Sequence, residues 1–201
     1  MKGCLIAGGI VALILLLGGG CGVSSYNGIV TKEERTEAAW SEIQNQYQRR
    51  FDLVPQLVAV VKGAAEFEQS TLTEITEARA SVGKMALPAE LPDDPAKLQA
   101  YLAAQQQLSG ALSRLIAVAE NYPALKATEN FRDLQVDLAG TENRIAVARR
   151  DYIEAVNAYN VAIRRFPGSM LAGIFGFEKH AQLETPEGVT ERPAVEFDFS
   201  K

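Results

Sequence analysis

The chain holds very little of what most catalytic and metal sites are made from. A single histidine, His180, and two cysteines, Cys4 and Cys21, stand among 201 residues. That supply excludes a multi-histidine or cysteine-rich metal site, and it excludes a disulfide framework. Basic residues are outnumbered as well: 20 lysines and arginines face 25 aspartates and glutamates, and the net charge of −5 offers no basic field to nucleic acid. Neither a glycine-rich phosphate loop, nor a paired-histidine zinc motif, nor a nucleophile elbow occurs. His180 follows the last helical pattern, beside charged residues, and reads as an exposed surface imidazole. Acid pairs such as Glu33 and Glu34, Glu66 and Glu68, or Asp93 and Asp94 have the chemistry for proton transfer. Helix neighbours point about 100° apart, however, so solvated surface is the simpler reading. No catalytic, cofactor-binding or metal-ligating residue is assigned, and no enzymatic activity is expected.

What is present is unevenly distributed. Leu5 to Val23 is an uncharged run of 19 residues, 13 hydrophobic and six glycine. As a helix it reaches about 28 Å, close to the ~30 Å hydrocarbon core of a bilayer. We read a short N-terminal segment over 1–4 and a transmembrane helix over 5–23. Two alternatives stay open. The densest part, Ile10 to Leu17, has the length of a cleavable signal-peptide core. The sequence Gly18-Gly19-Gly20-Cys21 resembles a lipoprotein site with Cys21 acylated, although Gly18 stands where a large apolar residue is usual. Cys4 and Cys21 lie near opposite ends of the run and cannot pair within one straight helix. Flanking basic residues, Lys2 against Lys32 and Arg35, are nearly balanced. An N-terminus held in the cytoplasm is the simpler insertion route, which puts the following domain on the extracytoplasmic side.

Tyr26-Asn27-Gly28 is a turn signal that would separate the anchor from the body. Trp40, Ile43, Tyr47, Phe51, Val54, Val58, Val61 and Ala65 then recur at steps of three and four, an α-helical period. Leu72, Ile75 and Val82 carry the stripe to about Lys84. Because it stays in phase across Pro55, a kink is expected there rather than a reversal. A reversal near Gly63 would add a helix. Leu87 to Pro95 reads as a loop, with Asp94 an N-cap and Pro95 the first helical residue. Leu98, Leu102, Leu108, Leu112, Leu115 and Ala119 line a second helix ending before Pro123. Gly110 and Gly140 sit within helical patterns, where close approach of a neighbouring backbone would explain them.

The third segment is the most regular. Phe131, Leu138, Ile145, Tyr152, Tyr159 and Phe166 are spaced by sevens, and Leu134, Thr141, Ala148, Ala155 and Ala162 fill a second, mostly small seam. The pattern predicts a helix of nearly 40 residues, about 58 Å long. Glu142 and Arg149, two turns apart beside that seam, read as inter-helix polar pairing. The fold class is therefore all-α: residues 24–167 form an elongated antiparallel bundle of three long helices, or four if the first reverses near Gly63. Residues 168–201 form an apolar segment and an acidic tail that reads as mobile. Met170 to Phe177 is too short to span a bilayer, and could cap the bundle, touch lipid or bind a partner. Val195 to Phe199 alternates apolar with acidic residues, as a strand added to a partner's sheet edge would.

Several segments together resemble the LemA family of bacterial membrane proteins. They are SSYNGIV from Ser24, AAWSEIQNQYQRRFDLVPQLVAVVKG from Ala38, LIAVAENYPALKATENFRDLQ from Leu115, LAGTENRIAVARRDY from Leu138, NAYNVAIRRFP from Asn157 and GFE at Gly176. Phe67 stands where many members carry histidine, and Ile153 where asparagine often follows the tyrosine. The resemblance implies one membrane helix in the bacterial cytoplasmic (inner) membrane and a domain of four-helix-bundle type. It brings no catalytic residues with it. Asn27, Trp40, Arg49, Pro55, Asn130, Glu142, Asn143 and Asn160 match its pattern and read as caps, core and inter-helix links.

The expected function is a membrane-tethered scaffold or adaptor that assembles with itself or with another membrane protein. The alternative is a small-molecule or lipid-binding, sensory domain with a pocket lined by Trp40, Tyr152 and Tyr159. No cofactor is expected under either reading, and nucleic acid is not an expected partner.

Overall fold

A computed structural model of the chain describes residues 2–63, 68–85 and 94–183, and among residues 2–18 only Gly9 and Leu16 beyond their backbone. The described elements are helical: α1 (Lys2–Lys62), α2 (Gln69–Lys84), α3 (Pro95–Ala119), α4 (Pro123–Lys126), α5 (Glu129–Ala162) and α6 (Gly168–Phe175). The loop at 87–93, Ala65 to Phe67, and the strand-like pattern at 195–199 lie outside the described residues.

The α1 helix is continuous over 61 residues, about 92 Å at the usual rise. The turn expected at Tyr26 to Gly28 is not there. Asparagine and glycine disfavour helix only weakly, and packing overrides the preference. Tyr26 meets the rings of Phe175 and Phe177 at 4.8 and 5.7 Å, and Ile29 is buried. Thr31 also donates its hydroxyl to the Asn27 carbonyl at 2.8 Å.

Pro55 likewise leaves α1 unbroken. A proline has no N–H for the carbonyl four residues back, here that of Phe51. The Arg79 guanidinium on α2 approaches that carbonyl at 3.5 Å and lies 3.9 Å from the centre of the Phe51 ring. A neighbouring helix thus serves the acceptor that proline leaves open. Reversal happens beyond Gly63 instead, which makes the bundle four-helical: α2 returns along α1, and Arg79 and Gly83 reach Phe51.

The α1 and α5 helices pair antiparallel in constant register. Glu33 meets Tyr159, Trp40 meets Tyr152 and Arg50 meets Glu142, so each advance along α1 matches an equal retreat along α5. The α2 and α3 helices form the second antiparallel pair, tied by Arg114 to Glu74 at 3.3 Å. Asp94 caps α3 as its sequence suggests, its carboxylate accepting from the backbone N–H of Ala96 and Lys97.

Helices drop out along the axis, so the core tapers. Val54, Leu57 and Val61 pack among α2, α3 and α5. Trp40, Ile43 and Tyr47 pack with α3, α5 and Leu183. At Ile29 the neighbours are Tyr159 and Ile163, with α6 and Phe177 as cover. The segment 177–183 is laid along α1 and α5: Tyr152 donates to the Ala181 carbonyl at 3.1 Å, and Asn160 bonds both the N–H and the carbonyl of His180. The start of the expected mobile tail is therefore packed, and the rest lies outside the described residues. His180 is not an exposed imidazole. It stacks on Tyr159 at 4.5 Å, its side chain 14% exposed and 3.9 Å from Glu33.

Two further expectations change. The α5 helix has 34 residues rather than nearly 40, and Phe166, the last of the sevens, lies beyond its end with 80% exposure. No backbone approaches Gly110 or Gly140: the first has open space around it, and the second meets only the Arg144 side chain. The close approach occurs at buried Gly168, where a Cβ would collide with the Ala162 carbonyl oxygen. The transmembrane helix expected over 5–23 falls largely on side chains outside the described residues, and among the described residues no helix is long and apolar enough to cross a membrane.

Gly110→Ala is therefore expected to stabilise the protein by about 1 kcal/mol, the helix propensity difference in open space. Gly168→Ala should destabilise it by about 1–3 kcal/mol, because the backbone must shift to admit the methyl group. Chemical denaturation of the two variants checks both signs.

Candidate functional site

The buried stripe of α1 reads Ile43, Tyr47, Arg50, Val54, Leu57 and Val61, and that of α3 reads Leu98, Tyr101, Gln105, Leu108, Leu112 and Leu115. Each carries one long polar residue at core spacing, and the two meet. Arg50 is 2% exposed. Its Nη1 donates to Glu142 Oε1 on α5 at 2.8 Å and to the Ser109 hydroxyl on α3. Its Nη2 donates to the Gln105 backbone carbonyl at 3.1 Å and to the Gln105 side-chain oxygen. Gln105 in turn donates to the Tyr101 hydroxyl, and the Tyr47 ring lies 5.2 Å below the guanidinium. The Nε atom is buried and has no hydrogen-bond partner.

A buried guanidinium is costly unless its charge and its donors are met. Glu142 supplies the charge from the edge of the core, its side chain 39% exposed. The geometry therefore ties three helices at one level, and a one-residue slip of any of them would strand the cation.

Above this layer a groove of about 710 Å³ opens between α3 and α5, floored by Tyr47 and Arg50 and walled by Leu98, Ile145 and Arg149. Ser109 Oγ lies 3.3 Å from both Glu142 oxygens, within nucleophile–carboxylate reach, but Arg50 donates to both residues. That carboxylate is an ion-pair partner. Among the described residues, no group of three or more histidine, cysteine or acidic side chains is placed to hold a metal ion.

Glu142 does reach across helices, to Arg50, and Arg149 acts on the Tyr47 phenol electrostatically, opposing the rise that burial causes. Trp40, Tyr152 and Tyr159 are core, each at most 1% exposed. Of the matched motif residues, Arg49 makes an exposed ion pair with Asp137 at 3.9 Å, and Asn160 anchors the 177–183 segment. Arg50, Gln105 and Ser109 escape a search for chemical motifs. Their signal is periodicity: a polar residue on an apolar stripe at steps of three and four.

Burial raises the pKa of four phenols. Tyr152 is pushed up to about 12 by burial alone. Tyr101 is raised mainly by burial, Tyr159 by burial and then by the Glu33 carboxylate, and Tyr47 by burial against the opposing pull of Arg149 and Arg50.

Glu142→Ala should destabilise the fold by about 2–4 kcal/mol, below the upper range for breaking a fully buried pair because Glu142 is partly hydrated. In a double-mutant cycle, Arg50→Met with Glu142→Ala should cost less than the sum of the two single changes. Additive denaturation energies would refute the coupling. The raised phenols give a second expectation. Their stabilisation is whole below pH 10, where folded and unfolded tyrosines are both neutral. It declines as pH rises from about 10 towards 12, because the unfolded chain ionises first. Tyr152→Phe should flatten that decline in thermal melts taken across the alkaline range.

Comparison with known proteins gives the family of the chain. The LemA family profile matches residues 39–197, a span that holds Arg50, Gln105, Ser109 and Glu142. Magnetosome protein MamQ 2 and Magnetosome protein MamQ 1 of Paramagnetospirillum magneticum are each 31% identical over 182 residues, covering 82% of this chain and 67% of their own length. Magnetosome protein MamQ of Magnetospirillum gryphiswaldense is 29% identical with the same coverage. On the extent of the profile match and of these alignments, the chain belongs to the LemA family.

Proposed function

We propose that the protein is a membrane-tethered helical scaffold, anchored by residues 5–23 in the bacterial inner membrane, with its bundle on the extracytoplasmic side. The observation that carries this reading is the continuity of α1. One helix takes the uncharged run directly into the core, so anchor and bundle share a single rod. Leu16 and Val23 are 74% and 63% exposed, and their apolar surface requires cover. Acylation at the exposed Cys21 would tether the same end by another route.

Assembly with a second copy or another membrane protein is the work this reading assigns to the bundle. The outer face of α5 supports it: Val136, Val147 and Val161 are 71%, 45% and 39% exposed and fall within about 40° of one another around the helix. The second reading, a small-molecule-binding domain, finds its support in the groove beside Arg149 rather than at Trp40, Tyr152 and Tyr159.

The full-length protein should stay in carbonate-washed membranes and leave them when residues 2–23 are removed. Crosslinking through Val147→Cys in native membranes should give a species larger than the monomer. A monodisperse monomer that crosslinks to no membrane protein would end the scaffold reading.

A further inference from the structure

The α6 helix presents two unlike faces. Leu171 and Ala172 pack with Ile29, Tyr159 and Ile163, closing the tapered end of the core. Met170 and Ile174, one turn apart on the opposite face, are 58% and 70% exposed, and Phe166 before the helix and Phe175 at its end are 80% and 58% exposed. Four large apolar side chains gathered at one end of a bundle need cover. Gly176, at φ +78°, ends the helix in the left-handed conformation that glycine adopts freely.

The place of this patch in the fold identifies its occupant. Phe175 and Phe177 lie against Tyr26, three residues, or about 5 Å along the helix axis, from Val23 at the end of the uncharged run. If the run enters a bilayer, the patch stands where the interface begins, with Tyr26 at the depth at which tyrosines concentrate. The exposed Arg164 and Arg165 directly precede Phe166 and supply the charge that anionic headgroups attract. Nearby Glu33 is occupied, accepting from the Tyr159 hydroxyl.

We infer that α6 is an interfacial collar: Phe166, Met170, Ile174 and Phe175 insert shallowly among the lipids surrounding α1, with Arg164 and Arg165 at the headgroups. The inference rests on the anchor reading above. The collar would fix the height and tilt at which the bundle stands, a task one helix emerging from a bilayer performs poorly.

The test uses the full chain carrying Cys4→Ser and Cys21→Ser, reconstituted in phosphatidylethanolamine–phosphatidylglycerol vesicles. Single NBD labels are placed through Leu16→Cys, Met170→Cys, Ile174→Cys and, as a control on exposed α3 surface, Ser113→Cys. These side chains are exposed, so labelling spares the core, and circular dichroism confirms the helix content. The collar is expected to give blue-shifted emission at 170 and 174, quenching by spin-labelled lipid and loss of quenching by aqueous iodide, with Ser113→Cys showing the reverse. Lipid quenching at 16 with iodide quenching at 170 and 174 overturns the collar and leaves the anchor standing. Shielding of 170 and 174 from both quenchers marks a protein-covered face and also overturns it. Lipid quenching at 170 and 174 but not at 16 upholds α6 as a lipid contact and removes the anchor, whereas lipid quenching at none of the three removes both.

Discussion

A single buried cation sets the register of this bundle. Arg50 lies on the core seam of α1, where an apolar residue would pack without constraint, and its donors need acceptors that stand in one place. Gln105 and Ser109 on α3 and Glu142 on α5 provide them. Helices whose seams hold only leucine, alanine and valine can slide by a turn at small cost. Helices that must also satisfy a guanidinium cannot, since a stranded buried charge costs several kcal/mol. The same logic operates where one polar residue in an apolar seam specifies coiled-coil register. The constant pairing of α1 with α5, from Glu33 with Tyr159 to Arg50 with Glu142, is consistent with such a pin.

Around that pin the molecule narrows towards one end. Four helices enclose Val61 and three enclose Tyr47, whereas Ile29 depends on α6 and the 177–183 segment for cover. A tapered bundle has less core to hold its thin end, and small local devices do the holding there. Gly168 lets α6 fold back against the end of α5, and Asn160 and Tyr152 clamp the returning chain through backbone hydrogen bonds. Exposed apolar surface collects at this same end, beside the helix that carries the uncharged run.

Much of the fold was legible because helices bury faces at a fixed period. The sevens from Phe131 to Tyr159, the stripe from Trp40 to Val61 and the Asp94 cap all took the places their spacing implied. Sequence reading failed where a local preference met a distant partner. Tyr26 to Gly28 reads as a turn, and aromatic packing keeps it helical. Pro55 leaves α1 without a reversal, as the phase of its stripe implies, but the group that serves the open carbonyl, Arg79 on another helix, has no signal in the sequence. Gly110 and Gly140 read as contact points, yet the tight contact is at Gly168. For the polar layer, Arg50 was visible as a residue and invisible as a partner, because Gln105 and Glu142 lie 55 and 92 positions away.

Taken alone, the sequence determined the helical class, the faces most helices bury, the uncharged run and the scarcity of chemistry-bearing residues. Those are properties of composition and of period, and both are written within a few turns of chain. Only the tertiary structure decided that the first helix runs unbroken into the core, that His180 is tucked against Tyr159, and that one arginine gathers three helices. Each of those outcomes depends on groups far apart in sequence meeting at ångström distances. A hydrogen bond or buried charge has its energy only at that meeting, so no local pattern can encode it.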